Sequence, residues 1–417
     1  MSGVMVSEEA QRLHRRLHRK PRPLRYEPLT VAEALRKLRR SLESSIIIGT
    51  YGFITGDLDA ASAIIEMERI IDEVAFQFFL HASVAVGRSI DDALKVAPLY
   101  TYVFAVDKVM DALKDLASAI VMGSRLSQEM SRRLLESSSH ALAKLETPPL
   151  QGTVGEIMEN YGVDIVALRR SDGSWLLEPD PAYRLAPGDV SYLWGDKDQV
   201  NKLLAAVGKE PIPERSGEGL EKRITSSIDI LLVLNGLAHY QLVAQDQQLA
   251  EEILELELYL DNFREKNTKE IISANNISLD DKYMLTVLVT RIEDISDALT
   301  YIILLPQASV EEEEEETIHE LLRDLLEESD ERITLLRAVR SVNLGILAEA
   351  LDQLGARILA VRIRGEWIAY TPMLADRTLS PGDTALIQYE KLIEKQLVKT
   401  LRQLGLQPLR DSASEES

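Results

Sequence analysis

The chain has 417 residues, 45% of them hydrophobic, with 47 basic and 68 acidic side chains for a net charge of −21 and no cysteine. That length supports roughly two to four cores, and the negative balance repels phosphate backbones, so nucleic acid is excluded as the expected partner. The missing thiols exclude disulfides, thiolate catalysis and cysteine-held zinc or iron–sulfur centres, which leaves hard-metal or histidine chemistry and suits a reducing compartment.

The first segment, residues 1–29, is a basic arm carrying Arg12, Arg15, Arg16, Arg19, Lys20, Arg22 and Arg25. A run of this kind reads as a solvated tail, with docking on an acidic partner or a membrane face as its functional alternative. Thr30 and Glu33 have the spacing of a capping box, in which hydroxyl and carboxylate satisfy backbone donors at a helix start. A helical bundle is expected from there over residues 30–139, ending in a polar connector, LLESSSH.

A small mixed domain follows over 140–208. Its DIVALRR run is short, β-branched and bounded by glycine, and Pro187-Gly188-Asp189 marks a tight turn before another strand. Helical pattern returns over 216–330, closing with six acids at 311–316 that read as a solvated run. Strand and turn signals then recur over 331–410, in RILAVRI and Pro381-Gly382-Asp383. The most apolar stretch, 228–244, contains Asp229, Asn235 and His239, short of the about 18 uninterrupted apolar residues of a membrane span. A soluble, cytoplasmic chain is expected, at most peripheral to the inner face of the membrane.

The alternation reflects an internal duplication. GDLDAASAIIEMERIID aligns with QDQQLAEEILELELYLD, placing Asp57 on Asp246, Glu68 on Glu257 and Asp72 on Asp261. VFAVDKVMDAL aligns with VTRIEDISDAL, placing Asp107 on Glu293 and Asp111 on Asp297. In the mixed segments Trp175 meets Trp367 and the two Pro-Gly-Asp turns coincide.

Four acidic pairs at spacing four result: Glu68 with Asp72, Asp107 with Asp111, Glu257 with Asp261, and Glu293 with Asp297. On a helix each pair shares one face, where like charges destabilise by roughly 0.2–0.5 kcal/mol unless a cation intervenes. About eleven such pairs are expected by chance in a chain this acidic, so a single pair means little. That the two pairs of one copy recur at equivalent positions in the other is what points to a cation site, of the kind carboxylates build for Mg²⁺, Mn²⁺, or, when bridging, iron or zinc.

On these motifs, residues 30–122 and 218–306 resemble the PhoU family, whose three-helix repeats hold metal clusters through E/D-x-x-x-D motifs. The resemblance implies one metal site lined by Glu68, Asp72, Asp107 and Asp111, and another by Glu257, Asp261, Glu293 and Asp297. The segments around 140–208 and 331–406 are similar to the TrkA-C domain of potassium-conductance regulators, on Gly155-Glu-Ile-Met, Gly162-Val-Asp-Ile-Val-Ala-Leu-Arg-Arg and Leu185-Ala-Pro-Gly-Asp, and on Gly345, Gly355 and Leu379-Ser-Pro-Gly-Asp in the second copy. That similarity implies pairing through these domains, a homodimer, and a small effector such as a cyclic dinucleotide in the cleft, with Arg169 and Arg170 as phosphate contacts. No G-x-G-x-x-G follows a strand, so NAD is not expected.

The expected fold class is therefore multidomain α plus α+β: two PhoU-like bundles alternating with two small TrkA-C-like α/β domains. The expected function is non-enzymatic: a regulator that couples metal or small-ligand binding to a membrane ion or phosphate transporter. A metal-dependent phosphohydrolase is the enzymatic alternative, but His14, His18, His81, His140, His239 and His319 lie outside the acid motifs and are not duplicated. A ligand-free oligomerisation scaffold is the third reading.

Overall fold

The structure, a computed structural model, describes residues 31–85, 90–177, 179–214, 219–303 and 331–409, together with Leu13 and Tyr26. The basic run of the arm, Thr30 of the expected capping box and the acidic run at 311–316 lie outside the described residues.

Three long helices come first: α1 (Val31–Thr55), α2 (Leu58–Ala85) and α3 (Ile90–Val121), followed by the short α4 (Gln128–Ser137). The first mixed unit runs β1 (His140–Glu146), α5 (Val154–Tyr161), β2 (Asp164–Arg169), β3 (Trp175–Leu177), β4 (Val190–Asp196) and α6 (Lys197–Ala206). A second helical trio, α7 (Leu220–Ala244), α8 (Gln247–Ser273) and α9 (Leu279–Ile303), precedes a second mixed unit. That unit contains β5 (Glu331–Ala338), β6 (Val342–Asn343), α10 (Leu344–Asp352), β7 (Arg357–Ile363), β8 (Glu366–Ala369), β9 (Thr378–Leu379), β10 (Thr384–Glu390), α11 (Glu394–Leu404) and β11 (Leu406–Pro408).

Both sheets are antiparallel and share one strand order. The first reads β1-β4-β2-β3 and the second β5-β10-β7-β8, with β11 added at its edge. Strand burial explains the length of the core strands: β2 and β10 are apolar on both faces, because helices cover one side and the long bundle the other. A single apolar core runs through the six long helices and takes in Val166, Ala167 and Tyr192 from one sheet and Leu359, Ala360 and Leu386 from the other. The opposite faces close over α5 and α6 in the first unit and over α10 and α11 in the second.

The two trios meet through α3 and α9. Phe104 packs edge-on against Tyr301, and Arg291 pairs with Asp115 at 3.3 Å, so the two helices cross in opposite directions. The mixed units also meet each other. Gly162 (φ +63) faces the backbone of Gln353 so closely that a Cβ would collide with its carbonyl oxygen, and a Cβ on Gly355 (φ +75) would lie 3.3 Å from the Gly162 carbonyl. Only glycine combines a left-handed φ with this backbone approach. The two mixed units thus pack backbone against backbone within one chain.

Candidate metal centres and the cleft between mixed units

Asp57 and Asp246 start the equivalent helices α2 and α8. The Asp57 carboxylate accepts from the Asp59 N–H at 2.8 Å, and that of Asp246 from the N–H groups of Gln248 and Leu249 at 2.9 and 3.1 Å. These caps satisfy donors that the first helical turn leaves open. Two turns and more further along, each helix presents its acid pair toward the acid pair of the next helix, α3 or α9.

In the first copy Glu68, Asp72, Asp107 and Asp111 come together between α2 and α3. Burial, then the charges of Glu68 and Asp107, pushes the Asp72 carboxyl up to about 6, although its side chain keeps an exposed edge. Asp107 is raised by burial and by Asp111. Lys114, one turn beyond Asp111, ion-pairs with Glu68, and Lys108 reaches Asp111 at 3.3 Å.

In the second copy Glu257, Asp261 and Asp297 bring carboxylate oxygens within 4.8 Å of one another, the one such trio among the described residues. Glu293 is 5% exposed, and burial followed by the Asp297 charge lifts its carboxyl to about 7. Glu257 and Asp297 are raised by burial first and by Asp261 next. Arg264 ion-pairs with Glu293 and lies 3.7 Å from Asp261. Glu257, Asp261 and Asp297 thus converge with Glu293 beside them, while the four first-copy acids influence one another's charge without bringing three carboxylate oxygens to one spot.

Sequence reasoning missed the built-in counter-cations. Lys114 follows Asp111 by three residues and Arg264 follows Asp261 by three, a spacing that shares a helix face and was open to inspection. The duplication concealed them, because neither base has a basic counterpart in the other copy: Thr300 and Ala75 stand there. The donor set suits a hard divalent cation, since three carboxylates at one spot carry more negative charge than one arginine cancels. Glu257, Asp261 and Asp297 would hold it in the second copy; in the first, Lys114 occupies Glu68 and the remaining acids bring no three carboxylate oxygens to one spot.

The two expected phosphate contacts are elsewhere. Arg169 Nη1 donates to Asp59 Oδ1 at 2.6 Å, tying the first sheet to α2, and the Arg170 guanidinium lies over the Tyr183 ring. Neither lines the cleft between the mixed units. The cleft is predominantly acidic, with Glu43, Asp164, Asp196, Glu331, Asp352 and Glu390 against Arg357 and His140. Such walls oppose a phosphodiester.

Two histidines are structural. His239 Nδ1 donates to the Asn235 carbonyl at 2.7 Å, so its Nε2 accepts from the Tyr102 hydroxyl at 2.9 Å. Burial holds this ring well down, to about 4, and it stays neutral. His140 stacks on Trp194 and pairs with Asp229 at 3.0 Å. Burial opposes its charged form, but Asp229 outweighs that and leaves the pKa raised.

A buried polar network joins α1 to the second sheet. Arg39 donates to Glu331 at 2.7 Å, Arg357 to Glu43 at 2.6 Å, and Gln388 to Glu43 at 2.8 Å and also to Glu331. Burial pushes the Glu43 carboxyl up to about 7 despite Arg357. No helix among the described residues is long and apolar enough to cross a membrane.

No family model matches the chain, and no curated protein matches it. Among solved structures, one described as "Crystal Structure of the GsuK RCK domain" is 15% identical, covering 75% of this chain and 79% of that chain at a TM-score of 0.16. A second, described as "GsuK Channel", is 13% identical, covering 74% of this chain and 70% of that chain, also at 0.16. At that TM-score neither likeness carries an argument.

Proposed function

We propose that the chain is a divalent-cation-responsive regulatory protein that acts on a membrane ion or phosphate transport system and catalyses no reaction itself. The observation that carries the reading is the convergence of Glu257, Asp261 and Asp297, with Glu293 beside them, between α8 and α9, where burial and neighbouring charge raise Glu257, Asp297 and Glu293, the last to about 7. Burial first and the neighbouring carboxylates second disfavour the ionised forms here, and a divalent cation bound among them would offset both. Among the described residues no histidine joins the Glu257, Asp261 and Asp297 trio, which favours binding over water activation.

The clusters lie between helices that also carry the mixed units. α2 touches β3 and α8 touches β8, so an ion that draws α2 to α3, or α8 to α9, acts on the seat of a sheet. That is a route from binding to the face a partner would read, provided the ion favours one arrangement over another. The cytoplasmic side of a membrane is the proposed place of action, with a transporter as partner.

The test is recovery of membrane proteins from native membranes on the immobilised full chain, in Mn²⁺ and in chelator. A transport protein retained in Mn²⁺ and released by chelator, with the Asp261→Asn/Asp297→Asn variant unresponsive, is the expected result. Recovery of no transport protein, or recovery indifferent to Mn²⁺ and to the variant, overturns the reading.

A further inference from the structure

A cavity of about 340 Å³ opens where three parts of the chain meet: α7, the start of α6 with the first residue of β1, and α10 with β7. That size is within the range of small-molecule sites. Its floor is aliphatic, formed by Ile230, Leu232, Val233 and Ile358. The polar wall carries Asp196, Asp198, Asp229, Glu349 and Asp352 against Lys202, His140 and Arg357.

Several of these charges are already committed. Asp229 is paired with His140, and Arg357 with Glu43. The Asp352 carboxylate has no hydrogen bond or ion pair among the described residues; burial, with Asp196 and Asp229, pushes it up to about 6 against the nearby charges of His140 and Arg357. A half-buried acid with no hydrogen-bond donor, above an aliphatic floor, is a site for a positive charge attached to an apolar body.

The duplicated position tests whether this is an incidental gap. The helices α5 and α10 begin alike, with Gly155 N–H donating to the Pro181 carbonyl and Gly345 N–H to that of Ala375, both at 2.8 Å. In that register Met158 stands where the second copy has Ala348. The repeat likewise sets Glu43 and Ser44 of α1 opposite Leu232 and Val233 of α7. The first-copy space, lined by Glu43, Ser44 and Met158, is about 60 Å³. The second copy has the small Ala348 and aliphatic Leu232 and Val233, where the first has Met158, Glu43 and Ser44.

The geometry points to a binding site for an organic cation, an alkylammonium compound whose ammonium group meets Asp352 and whose chain lies on Ile230, Val233 and Ile358. Such a ligand touches both mixed units and the second bundle at once. The site is separate from the acid clusters between α2 and α3 and between α8 and α9, and its occupancy does not depend on their binding metal.

Calorimetric titration of the full chain with n-pentylammonium chloride tests it, with sodium pentanoate and n-pentanol as sign and charge controls at matched ionic strength. Saturable binding of pentylammonium is expected, weakened at least about tenfold by Asp352→Asn and abolished by Ala348→Met, while pentanoate and pentanol bind more weakly. Asp352→Asn removes a charge but keeps the shape, so it reads the site even if Ala348→Met perturbs folding. Failure of pentylammonium to bind at millimolar concentration, equal binding of pentanoate, or undiminished binding by Asp352→Asn overturns the inference.

Discussion

Trp367 Nε1 donates a 2.9 Å hydrogen bond to Asp246 Oδ2, the carboxylate whose other oxygen caps α8. One side chain therefore both starts a helix and seats the second sheet on it. The first copy uses the Tyr192 hydroxyl, which donates to Asp57 Oδ2 at 2.9 Å, with Lys144 beside it at 3.1 Å. Asp246→Ala is expected to lower unfolding free energy by about 1–2 kcal/mol, the scale of a lost cap plus a lost hydrogen bond. Denaturant unfolding measures it, and Trp367→Phe should reproduce only part of the loss.

The resident bases yield a second prediction. Replacing Arg264 by glutamine leaves Glu293 facing Asp261 and Asp297 without its guanidinium. Stability without divalent ions should fall by roughly 0.5–1 kcal/mol, the scale of a solvent-screened pair. The stabilisation produced by added Mn²⁺ should grow, because an external cation then replaces an internal one. Thermal midpoints with and without Mn²⁺ report both effects, and Lys114→Gln should act likewise at the first cluster.

The raised carboxyls set a pH dependence. Asp72 stands at about 6 against an ordinary 3.8, and Glu293 at about 7 against 4.5. Between the ordinary and the raised values the folded chain binds more protons than the unfolded one, so stability falls as pH rises. Without divalent ions the unfolding midpoint should therefore drop from about pH 4 to about pH 7 through these groups. Mn²⁺ should offset the drop near pH 7.5 and have little effect near pH 5, where protons occupy the same oxygens.

Gly162→Ala places a Cβ against the Gln353 carbonyl in a left-handed backbone. A loss of about 1–3 kcal/mol is expected from backbone strain alone. Proteolysis at the contact between the mixed units should accelerate as well, since the change forces that junction apart.

The α and α/β character of the chain was legible in its periodicities, and the strand runs DIVALRR and RILAVRI fall on β2 and β7. The acidic pairs were visible as a repeat because duplication kept them in step, yet that criterion is less selective than it looks. Asp57 and Asp246 are also in step because both cap helices. Asp189 and Asp383 are in step because both accept backbone N–H groups in the turn before a strand, from Ala186 at 2.9 Å and from Ser380 at 2.8 Å. Acids recur for backbone reasons as readily as for a cation, and only the convergence of side chains from two helices separates the cases.

Less visible were the features made between copies. Arg169 reads as a phosphate contact from its place at a strand end, but its partner Asp59 is far away in sequence and draws it onto α2. The network of Arg39, Glu43, Glu331, Arg357 and Gln388 spans the first bundle and the last sheet, and no local pattern encodes it. The cavity over Ala348 likewise depends on a difference between duplicated positions, whereas the search for repeats rewards identity.

Calorimetric titration of the metal-stripped full chain with Mn²⁺ near pH 7.5, beside the Asp261→Asn/Asp297→Asn variant, tests the cation account most directly. Saturable binding by the unaltered chain, with the component from the second cluster missing in the variant, is the predicted result. No binding by the unaltered chain, or an identical isotherm from the variant, would contradict it.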